Sequence, residues 1–107
     1  MKQDKLLSLL GLAKRAGKIQ SGAFLAENSV RSGRARLVIV ASDASGNTKK
    51  RFMDKCAFRH IPVHIYAGKE MLGAAIGEEA RSVVSVEDEG FAEALGSIAQ
   101  GLQENAE

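Results

Sequence analysis

Residues 36–41, Arg-Leu-Val-Ile-Val-Ala, form an aliphatic and β-branched run with no alternating polar position. Such a run fits a strand buried on both faces, because a half-exposed strand would turn every second residue to water. It belongs at the centre of a sheet that helices cover on each side. Residues 63–67 (VHIYA) and 82–86 (SVVSV) read as two further strands, and residues 18–20 as a short extended piece.

Helical patterns fill the intervals. In residues 4–16, Leu6, Leu9, Leu10 and Ala13 recur at helical spacing and Gly17 is placed to end the helix. Residues 22–32 follow, with Ser21 as the expected N-cap, Phe24, Leu25, Ser29 and Val30 on one face, and Gly33 as the stop. A third helix runs from an Asn47 or Thr48 cap to about residue 59. Its apolar stripe is Phe52, Met53, Cys56, Ala57 and His60, and Arg51, Lys55 and Arg59 stack along another flank. Pro62 blocks its continuation. Residues 69–76 form a short helix interrupted by Gly73, and residues 90–103 a last one carrying Phe91, Ala94, Leu95, Ile98 and Leu102. Strands alternating with helices predict a small α/β sheet of about four strands with helices on both faces. A chain of 107 residues suits one domain, 1–107, with 103–107 frayed at its end.

Composition excludes several classes. Apolar residues make up 45% of the chain and Pro occurs once, which argues against disorder. No apolar run approaches the roughly 18 residues of a membrane span. The first 18 residues start basic and turn apolar as a secretory leader does, but Asp4 and the following Lys14 and Arg15 describe an amphipathic helix instead. One cysteine, Cys56, allows neither an internal disulfide nor a four-cysteine zinc site, and it fits a reducing compartment, the cytoplasm.

The net charge of +2 conceals two opposed halves. Residues 1–60 hold 13 Lys/Arg against 4 Asp/Glu, a net of +9, whereas residues 61–107 hold 2 against 9, a net of −7. A basic segment of this size suits a polyanion, whose condensed counterions it releases on binding, and nucleic acid is the commonest such partner. Solvated helix faces give the same segregation, and charge alone does not separate the two. Asn47, Thr48, Lys49, Lys50 and Arg51 together place backbone N–H groups, a hydroxyl and three cations at one helix start, an arrangement suited to phosphate. An ordinary cap with solvated lysines explains the same string.

Catalytic and cofactor chemistry has little support. Cys56 and His60 stand four apart on one helix, but both fall on its apolar stripe, where a small thiol usually packs. Zinc needs more ligands than Cys56, His60 and His64 supply. Gly68, Gly73 and Gly77 make no phosphate-binding glycine motif. Glu87, Asp88 and Glu89 precede the last helix, where negative charge is favourable by itself. The expected cofactor and metal sets are empty, and the expected oligomeric state is a monomer.

Taken together, the segments GLAKRAGKIQSG, SGRARLVIVASDAS, GNTKKRFMDKCAFRHIPVHIYAGKEMLGAAIG and RSVVSVEDEGFA resemble a ribosomal-protein superfamily of kink-turn RNA binders. It contains the archaeal seven-Ae and eukaryotic thirty-e large-subunit proteins, and its bacterial YlxQ-like branch is the more similar. The resemblance implies a three-layer α-β-α sandwich and a structural, non-enzymatic protein that grips RNA at the start of the second helix and with the loop before the last strand. Gly22 matches the family's grip, whereas Phe24 and Leu25 stand where the kink-turn readers carry Asn and Glu, and Asn28 where they carry Lys. The second loop, Gly77-Glu78-Glu79-Ala80-Arg81, is charged where theirs is apolar.

The expected function is therefore ribosome-associated binding of structured RNA, ribosomal or kink-turn. The expected contacts are Lys14, Arg15, Lys18, Ser21, Gly22, Asn28, Asn47, Lys49, Lys50 and Arg81, with cations on phosphates and helix starts donating hydrogen bonds. Loops that follow strands gather at one edge of an α/β sheet, which brings residues 42–50 toward 77–81. Two rivals stand beside it. One is a protein-interaction adaptor of the translation machinery that docks through Glu87, Asp88 and Glu89; the other is a small enzyme using Cys56 and His60.

Overall fold

A computed structural model describes residues 4–104. The chain alternates α1 (Lys5–Arg15), β1 (Ile19–Ser21), α2 (Ala23–Arg31), β2 (Leu37–Val40), α3 (Gly46–Phe58), β3 (Val63–Ile65), α4 (Lys69–Ala75), β4 (Val83–Val86) and α5 (Glu89–Glu104). Residues 105–107, part of the stretch expected to fray, lie outside the described residues; α5 itself continues through Glu104.

The sheet order is β1-β4-β2-β3. β4 runs antiparallel to both β1 and β2, and β2 runs parallel to β3. The two strands with the most continuous apolar sequence are the central ones, and every residue of β2 and β4 is buried. Alternation along β2 divides the core. Leu37, Ile39 and Ala41 pack with Leu6 and Leu10 of α1, Leu72 of α4 and Leu95 of α5, together with Val84 and Val86. Val38 and Val40 face the other way, toward Ala26 and Val30 of α2 and Phe52 and Cys56 of α3. The result is a three-layer α-β-α sandwich, with α1, α4 and α5 on one face and α2 and α3 on the other.

The helix faces differ from the expected ones in two places. On α2 the buried residues are Ala26, Ser29 and Val30, whereas Phe24 is 81% and Leu25 45% exposed. The buried face of α2 is thus made of small and β-branched side chains, and its two large ones turn outward. On α3 only Phe52 and Cys56 are buried; Met53 and Ala57 are exposed, as is His60 beyond the helix end. That narrow stripe is flanked by ion pairs, because Glu27 of α2 receives Arg51 at 3.8 Å and Lys55 at 3.5 Å.

Ser29 and Ser85 are the buried polar residues between α2 and β4. Their hydroxyls lie 2.8 Å apart, and Ser29 Oγ donates to Glu87 Oε2 at 2.6 Å, so neither is left without a partner. Gly73 does not interrupt α4. A Cβ there would collide with the Glu79 carbonyl, so the missing side chain seats the 77–81 loop against the helix.

Candidate nucleic-acid interface

Since β1 and β2 both oppose β4 and β2 is parallel to β3, the C-terminal ends of β1, β2 and β3 share one edge of the sheet. α2, α3 and α4 depart from that edge, and β4 enters from it. Backbone bonds stitch it together. Gly22 N donates to Val83 O at 2.9 Å, Ala41 N to Ser82 O at 2.7 Å, and Ser42 N to Ala67 O at 2.7 Å. The loop after β2 therefore begins beside the loop before β4.

Gly22, at φ 92°, is the N-cap of α2, and no side chain caps that helix. The expected cap, Ser21, lies in β1 opposite Val84, and its hydroxyl accepts from Arg81 Nε at 3.3 Å instead. The first-turn N–H groups and the positive end of the helix dipole thus have no side-chain acceptor of their own.

Arg81 is fixed from several sides. Besides Ser21, its Nη1 donates to the Ala80 carbonyl at 3.1 Å and its Nη2 to Glu78 Oε1 at 3.1 Å. Lys14 Nζ donates to Glu78 Oε2 at 2.9 Å. Glu78 of this charged loop thus bridges two cations. The Lys14 hydrogen bond and charge, with Arg81 behind them, hold its carboxyl below the usual carboxylate range. It stays ionised and keeps both cations in place, and the trio carries a net positive charge. Arg15 is exposed next to Lys14 at the end of α1.

At α3 the cap is Ser45 and not Asn47 or Thr48, since Ser45 Oγ accepts Thr48 N at 3.1 Å. The helix is capped two residues before Asn47, so Asn47 is exposed within the first turn. Lys49 is half-buried there, and Lys50 reaches Asp54 at 3.0 Å. Two of the expected contacts do not join this edge. Lys18 precedes β1, and its carbonyl accepts from Glu87 N at the opposite end of the strand, about 10 Å from Ser21 at ordinary strand rise. Asn28 is exposed further along α2. Phe24 and Leu25, which the resemblance aligns with the family's grip but whose spacing placed them on the packed face of α2, line a recess of about 420 Å³ at this edge with Ser21, Gly22, Arg81 and Ser82, the last of which sequence reading missed. The signal was available: Ala26, Ser29 and Val30 alone make a helical stripe that leaves Phe24 outside.

The residues of the rival readings are placed otherwise. His60 is outside α3 at φ 60°, where its N–H and that of Ile61 close the helix end on Ala57 and Cys56 carbonyls. Cys56 is buried in the core, and burial pushes its thiol up to about 11. No group of three or more potential metal ligands occurs among the described residues. The acidic run is occupied. Glu87 receives Ser29 and Arg34, Asp88 accepts Phe91 N at 2.9 Å at the start of α5, and Glu89 lies 3.6 Å from Arg36. No described helix is long and apolar enough to cross a membrane.

The described residues thus form a four-stranded α-β-α sandwich that gathers Lys14, Arg81 and a helix start without a side-chain cap at one sheet edge. The chain belongs to the Ribosomal protein L7Ae/L30e/S12e/Gadd45 family, which matches residues 4–96. It is 47% identical over 90 residues to the RNA-binding protein YlxQ of Bacillus subtilis, covering 84% of this chain and 90% of that one. The large ribosomal subunit protein eL30 of Dictyostelium discoideum is 29% identical over 98 residues, 90% of this chain and 88% of the other. A solved structure of a protein of unknown function from Bacillus halodurans superposes with a TM-score of 0.89 at 42% identity, covering 92% of this chain and 99% of that one.

Proposed function

We propose that this protein is a non-enzymatic, ribosome-associated RNA-binding protein that holds structured RNA, ribosomal or kink-turn, against the sheet edge formed by Ser21–Gly22, Asn47–Lys50 and Glu78–Arg81. The observation that carries the reading is the bridge from Lys14 through Glu78 to Arg81 and Ser21, which fixes two cations beside the uncapped start of α2. Fixed cations contact phosphate with less side-chain entropy to lose than free ones. Lys14, Arg15, Lys49, Lys50 and Arg81 would contact phosphates, and Ser21, Gly22 and Asn47 would contribute polar groups and backbone at helix starts. The family's ribosomal members and the RNA-binding YlxQ relative support RNA as the partner. A cytoplasmic monomer without cofactor completes the proposal.

The test is a salt series. Lys14→Ala and Lys49→Ala should each weaken binding across RNA sequences and flatten the plot of log affinity against log salt by about one unit. Lys18→Ala, at the far end of β1, should leave the slope unchanged. Equal slopes in all three variants and the wild type would move the site elsewhere.

A further inference from the structure

Arg51, Lys55 and Phe58 recur at the i, i+4, i+7 spacing of one helix face along α3, and Arg59 stands beside them. Packing does not account for this face. The core side of α3 is Phe52 and Cys56, whereas Phe58 is 82% exposed. Glu27 of α2 lies 3.8 Å from Arg51 and 3.5 Å from Lys55, and Arg51 also rests 5.8 Å from the centroid of the Phe52 ring. The carboxylate is 22% exposed against 49% and 37% for its two partners, so the cations meet solvent and the acid does not. Asp54, the one carboxylate of α3, is taken by Lys50 at 3.0 Å. Arg31 stands one turn beyond Glu27 on α2, and both Arg31 and Arg59 are exposed with no ion pair among the described residues. Because α2 and α3 leave the same sheet edge, the row begins near the candidate interface and runs away from it, about 12 Å from Arg51 to Arg59 at helical rise.

Four cations against one covered carboxylate call for an anion whose charges repeat along a line. An acidic peptide meets that charge but has no use for a bare ring among the cations. Single-stranded RNA supplies both parts, phosphates for a cationic track and an unstacked base for a ring. A base inside a duplex offers no free face, so a paired stem would leave Phe58 bare.

We propose that this flank of α3 takes a single-stranded segment leaving the folded RNA, with Arg31, Arg51, Lys55 and Arg59 on its phosphates and Phe58 against one base. This rests on the RNA-binding reading above and adds a second contact surface to it.

The test uses the full chain and a kink-turn RNA in three forms: without a tail, with an oligouridine tail at its 5′ or its 3′ end, and with the tail's bases removed as abasic residues. The wild type should bind one tailed RNA about tenfold or more tighter than the untailed one, with the abasic tail in between. The double variant Arg31→Gln, Arg59→Gln should flatten the salt slope for the tailed RNA by about two units and leave that for the untailed RNA unchanged. Phe58→Ala and Phe58→Leu should lower tailed affinity to the abasic level without changing the slope, because the ring carries no charge and Leu offers no flat face. All three positions are exposed, so the circular dichroism spectrum and urea midpoint should stay as in the wild type. Lys14→Ala should weaken tailed and untailed RNA alike. A tail advantage that survives in full in the double variant or in Phe58→Ala would overturn the proposal, and so would binding of a polyglutamate peptide that the double variant abolishes and the tail does not compete away. Equal binding of tailed and untailed RNA by the wild type would overturn it while keeping RNA binding. No binding of any of these RNAs would reject both.

Discussion

The Tyr66 hydroxyl donates to Asp4 Oδ2 at 2.6 Å, while Asp4 Oδ1 accepts Leu7 N at 2.9 Å and caps α1. One carboxylate thus starts a helix and ties it to the segment after β3. The hydrogen bond to Asp4, with burial and the carboxylate charge adding to it, raises Tyr66 from 10.0 to about 12. The fold therefore favours the neutral phenol. The stability this contributes is complete below pH 10 and lost as pH rises through the interval up to about 12. Tyr66 is the single tyrosine in a chain without Trp, so the ultraviolet absorbance of its phenolate reports it alone. The midpoint should lie near 12 in the wild type and fall toward the free value in Asp4→Asn; an unperturbed wild-type midpoint would contradict the bond. Cys56 gives a second residue-scale prediction, since a buried thiol with a raised pKa should react slowly with alkylating reagents until the chain is unfolded. Fast modification of the native protein would revive an enzymatic role. At this scale the sequence reveals residue types but not partners. Lys14 and Arg81 were legible as cations, yet Glu78 is 64 positions from Lys14, and Ser21 is 60 from Arg81. Nothing local marks such pairs.

Elements were legible where hydrophobic period decides them and less so where a cap or a close approach does. The four strands and five helices of the described residues follow from the alternation of periods, within a residue or two at their ends. The α3 cap moved to Ser45 because Ser, Asn and Thr at positions 45, 47 and 48 are all competent cap residues, and the turn geometry chooses among them. Ser45→Ala should cost about 1 kcal/mol in urea unfolding, whereas Asn47→Ala should cost little. Gly73 looked like a helix breaker because helix propensity alone penalises glycine; its role is to admit the Glu79 carbonyl. Gly73→Ala should therefore destabilise by about 2 kcal/mol, an overpacking cost, despite improving local propensity. It should also weaken RNA binding by displacing the loop that holds Glu78 and Arg81. An unchanged or raised stability would show that the loop does not rest on α4.

For the whole molecule, the central position of residues 37–40 could be read from composition, because four consecutive buried side chains require cover on both faces. The order β1-β4-β2-β3 could not, since the last strand inserts between the first two and no local pattern records that. This insertion carries Arg81 to Ser21 and places the start of α2 beside the loop that precedes β4. The charge segregation along the chain was a true guide to cations but an incomplete one to the site. Folding sends Lys18 to the far end of β1, commits Arg51 and Lys55 to Glu27, and recruits Arg81 from the acidic half. The central claim is that this assembled edge binds structured RNA. Its most direct measurement is a salt-series titration of the protein against a kink-turn RNA, a matched plain duplex and structured ribosomal RNA. The account predicts strongly salt-dependent binding with a preference for the two folded RNAs over the plain duplex; salt-independent association, or no binding to any of the three, would contradict it.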